Sequence, residues 1–138
     1  MNAKVIIAGI ASAVATFLLG WLVYGTLLSD YFKSSMTSSY PGLMKDPPLI
    51  WAIGVANLAW GFALAYILSI AGIRNVAKGF VTGFLIMGLI LGGVDAMSYA
   101  QMNLTGAKVY AVDVAIGAVF GGISGTVIAL IYSRKQNS

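Results

Sequence analysis

The chain has 138 residues, of which 59% are hydrophobic and 9% are charged, and its formal net charge is +4. This balance, with a mean hydropathy of +0.91, excludes a soluble globular domain and is typical of an integral membrane protein. Cysteine and histidine are absent and all four acidic residues are aspartates, which excludes disulfide exchange, thiolate catalysis, iron–sulfur clusters, and zinc or haem sites built on these side chains. We expect no enzymatic activity, no cofactor and no resident metal, although a hard cation could still bind Asp, Asn and carbonyl oxygens.

Four apolar runs fill most of the chain, at about 5–28, 49–71, 79–102 and 109–132. Each run exceeds the roughly 20 residues that an α-helix needs to cross a hydrocarbon core about 30 Å thick. The connections after the second and third runs are short, which favours antiparallel neighbours. Residues 1–138 are therefore predicted to form one transmembrane domain, an all-α integral membrane four-helix up-down bundle.

The first run could also be read as a signal peptide. Lys4 precedes a short apolar core, and the small residues Ala11, Ala13 and Ala15 resemble a cleavage site. However, the apolar run continues unbroken through Leu28. We expect this segment to be retained as the first transmembrane helix.

The loop at 29–48 is the only connection long enough to hold structure outside the membrane. It mixes turn-forming residues with apolar side chains, which are Phe32, Met36, Tyr40, Leu43 and Met44. It is predicted to lie on the bilayer surface or to cover the bundle as a functional lid.

Basic residues cluster at helix ends, which indicates membrane topology and no nucleic-acid partner. On the side of the amino terminus they are Lys4, Arg74, Lys78, Arg134 and Lys135, and on the side of the 29–48 loop they are Lys33, Lys45 and Lys108. Because cytoplasmic segments carry the excess of Lys and Arg, both termini are predicted to be cytoplasmic. The 29–48 loop would then lie on the outer side.

Each apolar run carries small or polar residues at four-residue spacing, which places them on one helical face. In chain order these rows are Ser12, Thr16, Gly20 and Tyr24; Asn57, Gly61 and Ala65; Gly88, Gly92, Ala96 and Ala100; and Asp113, Gly117, Gly121 and Gly125. Small residues let transmembrane helices approach closely. The rows are predicted to pack the core of the bundle, or, on the fourth helix, to contact another subunit.

Three runs also carry a strongly polar residue at one predicted depth. Asp95 lies nine residues before Leu104 and Asp113 nine residues after it, and Asn57 lies nine residues after Pro48. At about 1.5 Å per residue, all three lie roughly 10–13 Å below the outer surface.

Two facing carboxylates in a low dielectric cannot both stay charged at low cost, which favours a shared proton or a bound cation. Tyr99 and Tyr110 lie just above the aspartates. The candidate site is therefore Asn57, Asp95, Asp113, Tyr99 and Tyr110. It would serve either as an ion or proton site or as a polar layer that joins the helices through hydrogen bonds.

The segment 17–25, FLLGWLVYG, resembles the opening helix of the DUF1761 family of small bacterial four-helix membrane proteins. The similarity extends weakly to the third helix and to the segment 110–115, YAVDVA. The resemblance implies a four-helix fold in the bacterial inner (cytoplasmic) membrane and no known activity or functional residues.

The first functional hypothesis is a non-catalytic helical subunit that assembles with itself or with a larger membrane complex. The second is a small cation or proton transporter or channel that uses the Asp/Asn layer. A membrane enzyme that acts on lipid or quinone is disfavoured, because no nucleophile or arginine pair accompanies the aspartates. The expected partners are the lipid bilayer and either identical or other membrane subunits.

Overall fold

The computed structural model describes residues 2–134, and every regular element in that range is a helix. In chain order the elements are α1 (Ala3–Leu22), a π-helical turn (Val23–Leu27), α2 (Ser29–Ser34), α3 (Ile50–Ile70), α4 (Val76–Gln101) and α5 (Ala107–Ser133). Lys135, which was counted for the orientation, lies outside the described residues.

Four helices are long and apolar enough to cross a membrane, so the prediction of an all-α fold with four spans is confirmed. These spans are Ala3–Leu27, Ile50–Ile70, Val76–Gln101 and Ala107–Ser133. Their ends differ from the predicted ends by three residues or fewer. The side of the membrane on which the termini lie stays a prediction.

Local residue chemistry explains where the helices begin and end. The side chain of Asn2 accepts a hydrogen bond from Lys4 N, and that of Asn75 accepts one from Lys78 N, so both residues cap a helix N-terminus. After α3, Gly72 adopts a φ of 65°, a left-handed conformation that glycine reaches without steric cost. This turn reverses the chain toward α4.

Neighbouring spans run antiparallel. Lys4 at the start of α1 contacts Arg134 after α5, whereas Tyr24 contacts Asp113 near the start of α5. We call the end of the bundle that carries the 29–48 loop the loop end, and the end where α1 begins and α5 ends the terminal end.

The spans do not all pack in sequence order. α1 packs against α3 and α5, and α4 packs chiefly against α5. α4 barely touches α3, although only residues 71–75 connect them. A short connection makes two helices antiparallel, but side-chain fit decides which neighbour each helix contacts.

Two packed regions hold the bundle together. At the terminal end, α1, α3 and α5 form an apolar cluster that includes Val5, Leu64, Leu68 and Ile128. Between α4 and α5, glycines replace side chains and the backbones meet directly. Large apolar side chains elsewhere face outward, as expected for helices that are solvated by lipid.

Candidate functional site

A tyrosine and two aspartates form a polar group in the loop-end half of the bundle. The hydroxyl group of Tyr24 donates a hydrogen bond of 2.6 Å to Asp113 Oδ1. The carboxyl group of Asp95 lies near that of Asp113, close enough for the two groups to interact electrostatically. Three elements therefore meet at this point, namely the π-helical turn after α1, the loop end of α4, and α5.

Local backbone geometry positions Tyr24. In the turn Val23–Leu27 the helix widens, and Leu28 N donates a 2.8 Å hydrogen bond to Val23 O, five residues earlier. Such π-helical turns are rare and are found frequently at functional sites. Tyr24 is the second residue of this turn, and its hydroxyl group reaches Asp113 on α5.

Asp95 is the most buried of the four aspartates. Its side chain is only 9% exposed. Its Oδ2 atom is buried and accepts no hydrogen bond from any donor within residues 2–134. A buried carboxylate oxygen without a donor is costly, more so where no water can replace the missing partner. A proton bound between Asp95 and Asp113 would turn one carboxyl group into the missing donor.

Aromatic rings enclose the tyrosine on two sides. The ring of Tyr24 lies 5.3 Å from that of Phe32, which belongs to α2 at the loop end. On its other side, the ring of Phe120 on α5 lies 6.1 Å away in an edge-to-face arrangement. These contacts fix the orientation of the hydroxyl group and limit access of water.

Hydrogen bonds attach the 29–48 loop to the turn between α4 and α5, at the loop end of the bundle. Thr37 N donates a 2.8 Å hydrogen bond to Leu104 O, and the hydroxyl groups of Thr37 and Ser38 donate to Asn103 O at 3.1 and 2.5 Å. In return, the hydroxyl group of Thr105 donates to Ser35 O at 2.9 Å. The loop thus covers the turn between α4 and α5.

The structure brings together only part of the predicted polar layer. Asp95 and Asp113 meet, but Asn57 is buried on α3 and its Nδ2 donates 2.9 Å to Ile53 O of the same helix. No hydrogen bond within the described chain joins Asn57 to the aspartates. The reason is that α3 packs beside α1 and scarcely contacts α4. Equal depth therefore did not imply contact.

Tyr99 and Tyr110 lie near the loop end and pack against each other with ring centroids 5.9 Å apart. Tyr99 remains about half exposed. Tyr24, by contrast, was not among the predicted site residues. The available signal was its place in the row Ser12, Thr16, Gly20 and Tyr24 on one face of the first run.

The glycine row of the fourth run packs against α4 within the chain, but its closest contacts are with Gly79 and Gly83, outside the predicted row of the third run, in which Ala96 and Ala100 are exposed. Gly121 lies against Gly83, and Gly125 lies against Gly79. Gly88 faces Ala118, Gly117 is covered by the side chain of Leu91, and Gly92 approaches Val114. The face of α5 that was considered for contact with another subunit is thus occupied by α4.

Another buried polar contact lies deeper between α1 and α5. The hydroxyl groups of Ser12 and Ser124 share a hydrogen bond, and both side chains are almost completely buried. A mutually satisfied pair of this kind joins two transmembrane helices. Along α5, Phe120 lies between Asp113 and Ser124, and its ring packs against Tyr24. The serine pair is therefore separate from the aspartate site.

The donor set limits what the site can bind. Within residues 2–134 no group of three or more Asp, Glu, His or Cys side chains could hold a metal ion. Ca²⁺ requires about six to eight oxygen ligands and Mg²⁺ requires about six. A single proton needs only two oxygens, and Asp95 and Asp113 supply them.

Comparison with known proteins gives no match. No protein-family model matches the chain, no curated protein is similar to it, and no solved structure resembles it. The resemblance of segment 17–25 to a bacterial membrane-protein family stays a prediction. The four membrane-spanning helices establish the broad class, a multi-pass membrane protein.

Proposed function

We propose that this chain is a small proton-handling membrane protein, which binds one proton between Asp95 and Asp113 and exchanges it with the loop side. It would act as a non-catalytic transporter or channel component. The observation that carries the proposal is Oδ2 of Asp95, a buried acceptor without a donor in the described chain, placed beside a second carboxyl group.

Charge supports a bound proton. Two adjacent carboxylates in an apolar span repel each other and lose hydration, so the pair is more stable with one positive charge bound. The basic residue of the spans nearest to Asp113 in sequence is Lys108, which is exposed and, five residues earlier at 100° per residue, points about 140° away around α5. Tyr24 donates to Asp113, which leaves the proton for the contact with Asp95.

Geometry supports exchange with the loop side. Asp113 lies six residues from the start of α5 and twenty from its end. At about 1.5 Å per residue, these separations correspond to about 9 Å and about 30 Å. Toward the terminal end, the ring of Phe120 and the glycine contacts of α4 with α5 close the interior.

Proton uptake tests this function. The protein in liposomes is given a rapid change of external pH, and a pH-sensitive dye reports the protons taken up per chain. We expect uptake by the unmodified protein and its loss in Asp95→Asn and in Asp113→Asn. Asp30→Asn is the matched control, because Asp30 is an exposed aspartate at the loop end. Equal uptake by the unmodified protein and by both site variants would refute the proposal.

A second candidate is a helical subunit that binds another membrane chain through α4. In its most apolar window only 11% of α4 is buried, against 44% of α5. A shallow groove on its outer face is lined by the apolar side chains of Val94, Met97 and Met102 together with Gly93, Ser98 and Gln101. The small residues Gly93 and Ser98 on such a face favour contact with another helix.

Native mass spectrometry of gently extracted protein tests this assembly. We expect Gly93→Leu to reduce the assembly to a smaller mass. Gly54→Leu on α3 is the matched control, since a Cβ atom added at either glycine meets no atom of the chain within 4 Å. If both variants keep the mass of the unmodified protein, no other subunit binds the α4 face.

We also propose that the protein lies in a bacterial inner membrane with both termini in the cytoplasm. This proposal rests on the resemblance of segment 17–25 and on the distribution of basic residues.

A further inference from the structure

A second polar site lies at the opposite end of the bundle. There the beginning of α1, the turn after α3 and the end of α5 enclose a cleft of about 120 Å³. Two basic residues, Lys4 and Arg74, line it together with Asn2 and Ser69. We propose that this cleft binds the phosphate group of an anionic phospholipid.

The cleft carries positive charge that no acidic side chain offsets. All four acidic residues of the chain lie elsewhere, with Asp30 and Asp46 in the 29–48 loop and Asp95 and Asp113 in the loop-end half of their spans. Within residues 2–134, no aspartate or glutamate side chain therefore lies at this end to pair with Lys4 or Arg74. An anion from outside the chain is the ligand that their charge selects.

Lys4 is held in position to donate to such a ligand. Its Nζ donates a 3.0 Å hydrogen bond to Arg134 O after the end of α5. An ammonium group has three N–H donors, so two remain for a ligand. Arg74, in the connection between α3 and α4, also lines the cleft and is exposed, so its guanidinium group is free to reach the same ligand.

Helix dipoles do not decide the charge at this end. α1 and α4 begin here, which contributes partial positive charge, but α3 and α5 end here, which contributes partial negative charge. Because these terms oppose each other, the side chains of Lys4 and Arg74 set the preference.

The surroundings favour a lipid over a soluble anion. The cleft lies where the spans end, near Ala3 and Ile70, at the level of lipid headgroups. Its inner wall is formed by Val5, Leu68 and Tyr132, buried side chains of the apolar cluster between α1, α3 and α5, so the cleft opens at the end of the spans and not between them. Its volume far exceeds the roughly 10–15 Å³ that one water molecule requires. A headgroup phosphate in the cleft would thus leave its acyl chains beside the helices.

Lipid titration followed by native mass spectrometry tests the site. Purified protein in detergent is titrated with phosphatidylglycerol and, separately, with zwitterionic phosphatidylcholine. We expect one phosphatidylglycerol to bind more tightly than phosphatidylcholine. Each basic residue that lines the cleft should contribute roughly fivefold in affinity, so Arg74→Gln should weaken binding by about fivefold and Lys4→Gln/Arg74→Gln by about 25-fold.

Lys78→Gln is the matched control. Lys78 lies at the same end and carries the same charge, but it does not line the cleft. Lys78→Gln should change the affinity for phosphatidylglycerol by less than about twofold, because it removes one surface charge but no contact with the bound headgroup. An equal effect of Lys78→Gln and Arg74→Gln would reduce the site to general surface charge and overturn the proposal.

Two further outcomes would also overturn it. Equal affinity for the two lipids would show that the net negative charge of the headgroup is not recognised. Displacement of phosphatidylglycerol by inorganic phosphate at the same concentration would assign the cleft to a soluble anion instead. Since Arg74 is exposed and makes no contact that the fold requires, Arg74→Gln tests the site even if the double variant is unstable.

Discussion

Tyr24 and Asp113 are joined by a hydrogen bond of 2.6 Å across 89 residues of sequence. The bond connects the π-helical turn after α1 to α5, and the ring of Tyr24 packs against the rings of Phe32 and Phe120. Asp95 of α4 completes the group, with a buried oxygen that has no donor in the described chain. This arrangement of two carboxyl groups and one fixed hydroxyl group underlies the proposed binding of a proton.

Replacement of Tyr24 by Phe should destabilise the bundle. The variant removes the hydroxyl donor to Asp113 and keeps the ring contacts, so we expect a loss of ~1 kcal/mol in the free energy of unfolding. Unfolding in a titration with denaturing detergent measures it. Tyr99→Phe is the control, because that ring is half exposed and packs against Tyr110. Equal stability of the two variants would mean that the bond to Asp113 contributes nothing.

Gly121→Ala should separate α4 from α5. A methyl group at this position would overlap the carbonyl oxygen of Gly83 and the Cβ of Met87. The backbone must shift to relieve such an overlap, which costs about 1–3 kcal/mol. Gly93→Ala adds the same methyl group where no atom lies within 4 Å, so stability should stay the same or rise slightly. Thermal unfolding in detergent distinguishes the two, and a stable Gly121→Ala would disprove the close packing.

Ser12 and Ser124 should behave as a coupled pair. Ser12→Ala leaves the buried hydroxyl group of Ser124 without its partner, and Ser124→Ala does the reverse. Each single variant should lose ~1 kcal/mol, and the double variant should lose clearly less than the sum. Unfolding free energies of all four proteins complete the cycle. Strict additivity would show that the two hydroxyl groups do not interact.

The tethered 29–48 loop should loosen when its side-chain bonds are removed. Thr37→Val/Ser38→Ala removes both hydroxyl donors to Asn103 O and keeps the backbone bond from Thr37 N. We expect faster hydrogen exchange in residues 29–48, with little change in α1. Ser39→Ala, at an exposed position beside them, is the control. Unchanged exchange in the double variant would mean that other contacts hold the loop.

Several features of the fold follow directly from the sequence. The lengths of the four apolar runs determine the spans, since a helix of about 20 apolar residues is the simplest element that crosses a bilayer. The depths of Asp95 and Asp113 are also predictable, because both are counted from the same short turn, residues 102–106, and a turn of this length keeps two helices level.

Which helices lie side by side was not predictable in the same way. Asn57 has nearly the same depth as the aspartates, but α3 packs beside α1 and Asn57 bonds within its own helix. Depth comes from counting residues, whereas the choice of neighbour depends on how small-residue faces fit each other. Tyr24 was missed for a related reason, since its bond to Asp113 depends on the packing of α1 beside α5, which depth and spacing along the chain do not give.

Infrared spectroscopy of the protein in membranes tests the shared proton most directly. A protonated carboxyl group has a C=O stretching band that a carboxylate lacks. At neutral pH we expect one such band in the unmodified protein and in Asp30→Asn, because adjacent carboxyl groups in an apolar span retain one proton between them. The band should disappear in Asp95→Asn and in Asp113→Asn, where an amide replaces one member of the pair. A spectrum of the unmodified protein without this band, or a band that persists in both variants, would contradict a proton bound between Asp95 and Asp113.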